Sequence, residues 1–167
     1  LEEKGYDSLA YRFFCPQSHY RKSLVFTWEN LDNAQLSYNK LIAKIAALKP
    51  DDGEADQAAL KELKAKFSAA LDNDLNTSLG ITALYDVLKA KPGDATKLAA
   101  IADFDSVLSL GLIEKANAKR EELKKQAAVA SGAFTILAED GTPDPAVEAK
   151  ILERRDAKKA KNFALAD

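Results

Sequence analysis

One apolar stripe in the first third of the chain constrains the fold more than any other feature of the sequence. Its members recur at steps of three and four residues, which places them on one face of an α-helix: Leu31, Ala34, Tyr38, Leu41, Ile42, Ile45 and Leu48. Thr27 is a suitable N-cap for this helix, and the run Lys49-Pro50-Asp51-Asp52-Gly53 ends it. A long amphipathic helix is stable mainly through packing of its apolar face, so the sequence predicts a core built on this stripe.

Other segments show helical spacing and capping signals: residues 9–15, 54–71, 78–91 and 95–110. Pro16 ends the first of these, Gly111 is a C-cap position after the last, and a charged segment follows at residues 114–126. Residues 23–27 have extended, β-branched character but form only a short run. We therefore predict an all-α fold: an antiparallel helical bundle with short connections and at most one short extended segment, followed by a linker and a terminal basic helix.

Shifts in composition predict four regions along the chain. Residues 1–27 precede the long helix, and residues 28–126 form the bundle. Residues 127–145 contain Ser131-Gly132 and Gly141-Thr142-Pro143-Asp144-Pro145, which is typical of a linker. Residues 146–167 predict one more helix, basic on one side. The chain contains no methionine and ends inside a helical pattern, so we expect a fragment of a longer protein.

The composition excludes several classes of protein. The 24 Lys and Arg residues against 26 Asp and Glu give a net charge of −2, which argues against bulk non-specific binding of nucleic acid but not against a local basic patch. No apolar run approaches the roughly 18 residues of a membrane helix, so no membrane partner is expected. A single cysteine supplies neither a disulfide framework nor a cysteine-rich zinc site.

The sequence contains few candidates for catalytic residues. Cys15 and His19 are the only cysteine and histidine, and Pro16 between them disfavours the helix that would make them a nucleophile–base pair. We expect Cys15 to be a small buried side chain. The sequence contains neither of the glycine-rich loops that bind phosphates. Four acids near predicted helix ends are interpreted as helix caps: Asp51, Asp52, Asp72 and Asp74.

Two basic clusters supply the candidate binding residues. The first combines cations, an aromatic ring and hydroxyls, the groups that hold RNA phosphates and sugars: Arg12, Ser18, His19, Tyr20, Arg21 and Lys22. The second lies on the predicted terminal helix, where phosphate contacts are also reasonable: Arg154, Arg155, Lys158, Lys159 and Lys161. The alternative for the first cluster is a basic corner that contacts only solvent. The alternative for the second cluster is a helix face that contacts only solvent.

The order of these pieces resembles the C-terminal part of bacterial cysteine–tRNA ligases (cysteinyl-tRNA synthetases), after their KMSKS loop. The resemblance rests on the run Gly5-Tyr6-Asp7-Ser8-Leu9-Ala10-Tyr11-Arg12-Phe13-Phe14, the run Ser18-His19-Tyr20-Arg21-Lys22-Ser23-Leu24, and residues 26–34, 67–77 and 153–167. The sequence departs from the family at Lys22-Ser23, where a small residue and proline are common, and at Leu71, Asn73 and Leu75, where methionine, aspartate and phenylalanine are usual.

The resemblance implies a role for each region. Residues 1–27 resemble a stem-contact segment, residues 28–126 a DALR-type bundle, and residues 146–167 the first helix of a truncated anticodon-side module beyond the linker. It implies that the chain is the tRNA-binding, non-catalytic part of a cytoplasmic, ATP-dependent ligase. Its partners would be cysteine-specific tRNA and the catalytic domain of the same polypeptide. That catalytic domain would hold ATP with Mg²⁺ and a zinc ion, and no catalytic, cofactor or metal residue is expected here.

Among the candidate residues, the resemblance implies that Arg12, His19, Tyr20 and Arg21 link the position of the KMSKS loop to that of the tRNA. Two other functions remain open. One is a structural or protein-interaction bundle, with Arg12 bonded across the first turn and Tyr20 packed in the core. The other is the equivalent domain of a ligase that joins cysteine to an amino-sugar, against which the terminal basic helix weighs.

Overall fold

The chain folds into an all-α structure, seen in a computed structural model that describes residues 1–50, 53–131 and 150. Within these residues there is no β-strand. The helices are α1 (Ser8–Phe14), α2 (Trp28–Ala46), α3 (Gln57–Asp72), α4 (Thr77–Lys89), α5 (Asp94–Leu108) and α6 (Leu112–Ser131), with single 3₁₀ turns at Glu2–Lys4 and Cys15–Gln17. The predicted all-α fold is confirmed, and residues 23–27 lie outside any regular element.

The starts of four helices follow directly from capping side chains. Asp7, Thr27, Asp56 and Asn76 each accept a hydrogen bond from a backbone N–H in the first turn of α1, α2, α3 and α4. The predicted N-cap role of Thr27 is confirmed, since its hydroxyl accepts from the N–H of Asn30 at 3.1 Å. The third helix begins at Gln57 rather than at residue 54, because Asp56 caps it.

The chain divides into two compact units, Leu1–Arg120 and Glu121–Asp167. In the second unit the described residues, 121–131 and 150, are helical. Helix α6 therefore extends to Ser131, five residues into the range 127–145 that the composition predicts as a linker. The rest of that range and the predicted terminal helix, apart from Lys150, lie outside the described residues.

The first unit is built around the apolar face of α2. All but one member of its predicted stripe are buried, and Leu48 packs partly buried against the same core. Helix α1 packs on α2, while α3 packs against both α4 and α5. Phe67 and Phe104 stack in the core with ring centroids 4.1 Å apart. Helices α3 and α4 also pack closely at Gly80, where an added Cβ would lie 3.4 Å from the ring of Phe67.

None of the helices in the described part of the chain has the length and apolar character to cross a bilayer. The apolar residues are instead concentrated on the faces that meet inside the first unit. The loops between these helices therefore decide which polar side chains are brought together. Two connections matter for the site: the α1–α2 segment and the corner between α3 and α4.

Candidate functional site

The α3–α4 corner is a tight turn with an unfavourable backbone conformation. Asp74 and Leu75 have φ of 56° and 48°, in the left-handed region that residues with a Cβ avoid. The turn is closed by the N–H of Leu75, which donates to the carbonyl of Leu71 at 2.8 Å. Such conformations persist where the surroundings enforce them. Here the conformation turns the Asp74 carboxylate toward the segment that follows α1.

The Asp74 carboxylate is the centre of a polar cluster. Arg21 donates from Nη2 to Oδ1 at 2.9 Å, and its Nε lies 2.9 Å from Oδ2. The hydroxyl of Tyr20 donates to Oδ1 at 2.7 Å and accepts from Nε of Arg21 at 3.0 Å. Two-point contact of this kind fixes the plane of a guanidinium. The cluster therefore joins two segments more than 50 residues apart in the sequence.

His19 completes the cluster from the other side of Tyr20. Its ring stacks on the Tyr20 ring at a centroid distance of 4.8 Å, and its Nε2 lies 3.7 Å from Oδ2 of Asp74. The backbone N–H of Arg21 donates to Nδ1 of His19 at 3.2 Å, so the proton of the neutral imidazole is on Nε2 and faces the carboxylate. We call His19, Tyr20, Arg21 and Asp74 the HYR–Asp cluster.

The HYR–Asp cluster is open to solvent. Tyr20 is 60% exposed, so it is not packed in the core as the structural alternative expected. The side chain of Arg21 is 67% exposed and that of His19 is 18% exposed. The bonds to Asp74 and Tyr20 use Nε and Nη2 of Arg21, which leaves both N–H groups of Nη1 for another acceptor. The cluster thus presents an oriented cation and an aromatic edge at the surface.

Arg12 and Lys22 lie outside the cluster contacts. Arg12 donates from Nη1 to the carbonyl of Ser109 at 3.0 Å, across to the α5–α6 turn rather than within its own turn. Lys22 is exposed, and its side chain forms no hydrogen bond or ion pair with the described residues. Of the first basic cluster, the structure therefore brings together His19, Tyr20 and Arg21. The second cluster, Arg154, Arg155, Lys158, Lys159 and Lys161, lies outside the described residues.

Three expectations from the sequence are wrong. Asp74 does not cap a helix; Asn76 caps α4, and Asp74 pairs with the segment after α1 because the left-handed corner turns it away from the helix start. Cys15 is exposed rather than buried, because the 3₁₀ turn Cys15–Gln17 continues α1 beyond the packed face of Phe13 and Phe14. The expected capping role of Asp72 is wrong as well, since Asp72 is the last residue of α3 and Asn73 is its C-cap. Asp51 and Asp52 lie outside the described residues.

The sequence alone did not reveal Asp74 as the partner of the basic run. The available signal was its place in the run Asp72-Asn73-Asp74, but sequence spacing does not reveal a contact across 53 positions. Nor did the sequence alone reveal an exposed aromatic surface, formed by Tyr11, Phe26 and Trp28, in which Phe26 meets Trp28 edge-on at 5.3 Å. In the described part of the chain, no three His, Cys, Asp or Glu side chains are grouped as metal ligands.

Comparison with known proteins identifies the family. The DALR domain family matches residues 66–139. The cysteine–tRNA ligase of Novosphingobium aromaticivorans is 40% identical over 118 residues, which cover 68% of this chain and 24% of that protein. The enzyme of the same name from Yersinia enterocolitica is 34% identical over 97% of this chain and 33% of its own length. That of Synechococcus sp. is 31% identical over 100% of this chain and 37% of its own length.

The chain thus spans between 24% and 37% of the length of these relatives. The matched DALR region begins inside α3 and includes the α3–α4 corner, α4 and α5. The longer matches extend over the preceding helices as well. The chain therefore belongs to the cysteine–tRNA ligase family, as a C-terminal part that contains the DALR domain.

Proposed function

We propose that this chain is the tRNA-binding, non-catalytic part of a cysteine–tRNA ligase. The observation that carries the proposal is the HYR–Asp cluster, an exposed and oriented set of groups of the kinds that contact RNA phosphates and bases, in a chain of this family. The whole ligase would attach cysteine to its tRNA at the expense of ATP, in the cytoplasm. This chain would hold the tRNA body and support the catalytic domain of the same polypeptide.

The local charge supports contact with RNA despite the negative net charge. Arg12, Arg21 and Lys22 supply three cations in this part of the chain, and Asp74 is the carboxylate that pairs with Arg21. Folded RNA is recognised largely by shape and by contacts to phosphates and 2′-hydroxyls. An arginine held in a fixed plane with free N–H groups suits a phosphate oxygen. The first basic cluster therefore contributes affinity rather than sequence selection.

The described residues of this chain do not offer a site for the zinc ion of the whole ligase. Zinc would need three or four ligands, and the exposed Cys15 and His19 offer one sulfur and one imidazole. His19 is already engaged with Tyr20 and Asp74. We therefore assign ATP with Mg²⁺, and zinc, to the part of the ligase outside this chain, and derive no catalytic step from the residues described.

The test is binding of the chain to an unmodified cysteine tRNA transcript, titrated at low and at moderate salt. We expect affinity to fall steeply with salt, because phosphate contacts release counterions with a slope of about 0.7–0.9 per contact. Lys22→Ala should weaken binding several-fold and reduce the salt slope by about one contact. Lys158→Glu tests the terminal basic cluster in the same way.

A matched control is Lys89→Ala, which removes the same charge from the far end of α4, about 18 Å along the helix from Thr77. Lys89 is exposed and lies 4.0 Å from Asp86, its ion-pair partner. It should leave tRNA affinity unchanged. Equal affinity for a non-cognate tRNA would assign selection to other parts of the ligase. Failure to bind any tRNA at low salt would favour the structural bundle instead.

A further inference from the structure

A groove beside the HYR–Asp cluster has no role in anything described above. It has a volume of about 470 Å³ and lies between the end of α1 and the α3–α4 corner. Sites for small molecules span about 300–1,000 Å³. Leu75 and Val107 line it with exposures of 64% and 61%, while Arg12 and Tyr20 contribute polar groups to its lining. The groove is therefore apolar inside and polar at its margin.

Leu75 is the least expected residue in this groove. Leucine is disfavoured in the left-handed conformation that it adopts here, where asparagine or glycine fits better. Nor does the core need its side chain, since most of it faces solvent. A residue that satisfies neither the backbone nor the core indicates a role in contact with something outside the chain.

The charges around the groove indicate the chemical class of the molecule that Leu75 contacts. None of the described residues that line it is acidic. Arg12 bonds there to the carbonyl oxygen of Ser109, and it forms no ion pair with a carboxylate of the described residues. Arg21 lies beside Tyr20, with two N–H groups free. An apolar cleft flanked by cations complements a flat, uncharged ring with a negatively charged group on either side. A nucleotide within an RNA strand has this chemistry, since its base lies between two backbone phosphates.

We propose that this groove binds an unpaired nucleobase of the RNA, with the flanking phosphates held by Arg12 and Arg21. The inference rests on the proposed function and adds a specific contact to it. Bases inside a duplex are stacked and paired, so the RNA has to present an unstacked nucleotide at this point. Leu75 and Val107 contact the ring, and Asp74 acts as a positioning residue by holding Arg21 beside the groove.

The single cysteine of the chain supplies the test. Cys15 lines the groove and is exposed, so its rate of reaction with a thiol reagent reports whether the groove is covered. We expect the cysteine tRNA transcript to slow the reaction at least tenfold when bound, and a blunt, fully paired RNA duplex to leave it unchanged. The control is Ala58→Cys in a Cys15→Ser chain, which places an exposed thiol near the other end of α3 and should react equally with and without tRNA.

A second measurement separates contact from folding. Leu75→Asn removes the apolar contact but suits the left-handed backbone, so thermal stability should be unchanged or raised while affinity for the transcript falls about five- to tenfold. Leu36→Asn makes the same exchange at an exposed position of α2, outside the groove, and should leave affinity unchanged. Affinity for the paired duplex should not respond to either substitution.

The outcomes distinguish this site from the proposed function. The transcript could bind without slowing the reaction of Cys15 and with an affinity that Leu75→Asn does not change. In that case the groove is not a base site, although the tRNA-binding function stands. If no RNA binds, both proposals are wrong. Loss of Cys15 reactivity on raising the protein concentration without RNA would identify a second copy as the occupant. Protection by the rest of the ligase without RNA would identify a domain interface, and either result overturns the base site.

Discussion

The hydroxyl of Tyr38 is a polar group in the apolar core. It donates to the carbonyl of Leu110 at 2.7 Å, and the residue is 1% exposed. Burial, together with the carboxylates of Asp7, Asp105 and Glu114, raises the pKa of Tyr38 far above its ordinary value. The hydroxyl is therefore protonated at neutral pH and available as a hydrogen-bond donor. Its bond to Leu110 ties α2 to the α5–α6 turn.

Tyr38→Phe should lower the free energy of unfolding by about 1–3 kcal/mol, because the Leu110 carbonyl would lose its partner while buried. Tyr85→Phe is the matched control, since Tyr85 is only partly buried and its hydroxyl makes no hydrogen bond with the described residues. That variant should change stability by less than about 0.5 kcal/mol. Urea unfolding of both variants checks the prediction, and equal losses would contradict it.

Arg120 closes the end of α2 with its guanidinium. Its Nε donates to the carbonyl of Ala46 at 3.1 Å, and its Nη2 lies 3.3 and 3.2 Å from the carbonyls of Ile45 and Leu48. The last carbonyls of a helix have no partner within it and carry the negative end of the helix dipole. A planar cation with several donors satisfies them together, which a lysine does not do as well.

Arg120→Met should therefore lower the free energy of unfolding by about 2–3 kcal/mol. Hydrogen bonds to charged groups contribute about 1.5–3 kcal/mol each, and in the variant water would bind some of the carbonyls that Arg120 contacts. Lys40→Met removes the same charge from the exposed face of α2 and should be nearly neutral. Thermal unfolding of the two variants gives the comparison. Similar melting temperatures would mean that the guanidinium contacts contribute little.

At the scale of elements, the α5–α6 turn is fixed by one carboxylate. Asp105 accepts from the N–H of Leu110 at 2.8 Å and from the N–H of Leu112 at 2.7 Å. Leu112 is the first residue of α6, so Asp105 satisfies one of the N–H groups that a helix start leaves free. Ser109 and Gly111 adopt left-handed conformations within this turn. The carboxylate thereby sets the direction in which α6 leaves α5.

Asp105→Ala should destabilise the chain by about 2–4 kcal/mol, because two backbone donors lose a charged acceptor at once. Asp105→Asn keeps one acceptor and should cost less than half as much. Amide hydrogen exchange at Leu110 and Leu112 should accelerate more than exchange in the middle of α2. Uniform acceleration across the chain would show that Asp105 acts only on global stability.

The elements differ in how far the sequence predicts them. Helix α2 is predicted from its stripe and its N-cap because both signals are local, and its start at Trp28 follows from Thr27. The α3–α4 corner is not predicted in its conformation, since nothing local indicates that Leu75 adopts a left-handed backbone. The basic run at His19 and Arg21 is found as a candidate site. Its anchor, Asp74, depends on tertiary packing that brings distant segments together.

At the scale of the whole first unit, Asp7 joins the start of that unit to α2 and α6. It caps α1 through the N–H of Leu9, its own N–H donates to Gln35 of α2, and its carboxylate accepts from Lys115 of α6 at 2.7 Å. Burial alone would raise the pKa of Asp7, but the hydrogen bonds from Lys115 and Leu9 outweigh burial and leave that pKa below its ordinary value.

A carboxylate with a lowered pKa stabilises the fold when ionised. Its contribution is present above the unfolded-state pKa of about 3.9 and is lost as the pH falls through the lower pKa of the folded state. Asp7→Asn should therefore reduce stability at neutral pH, and its difference from the unmodified chain should shrink as the pH falls below about 4. Asp86→Asn, on the exposed face of α4, controls for the loss of one negative charge. Urea midpoints measured from neutral to acidic pH check this, and a difference that stays constant with pH would exclude the Asp7–Lys115 pair as its cause.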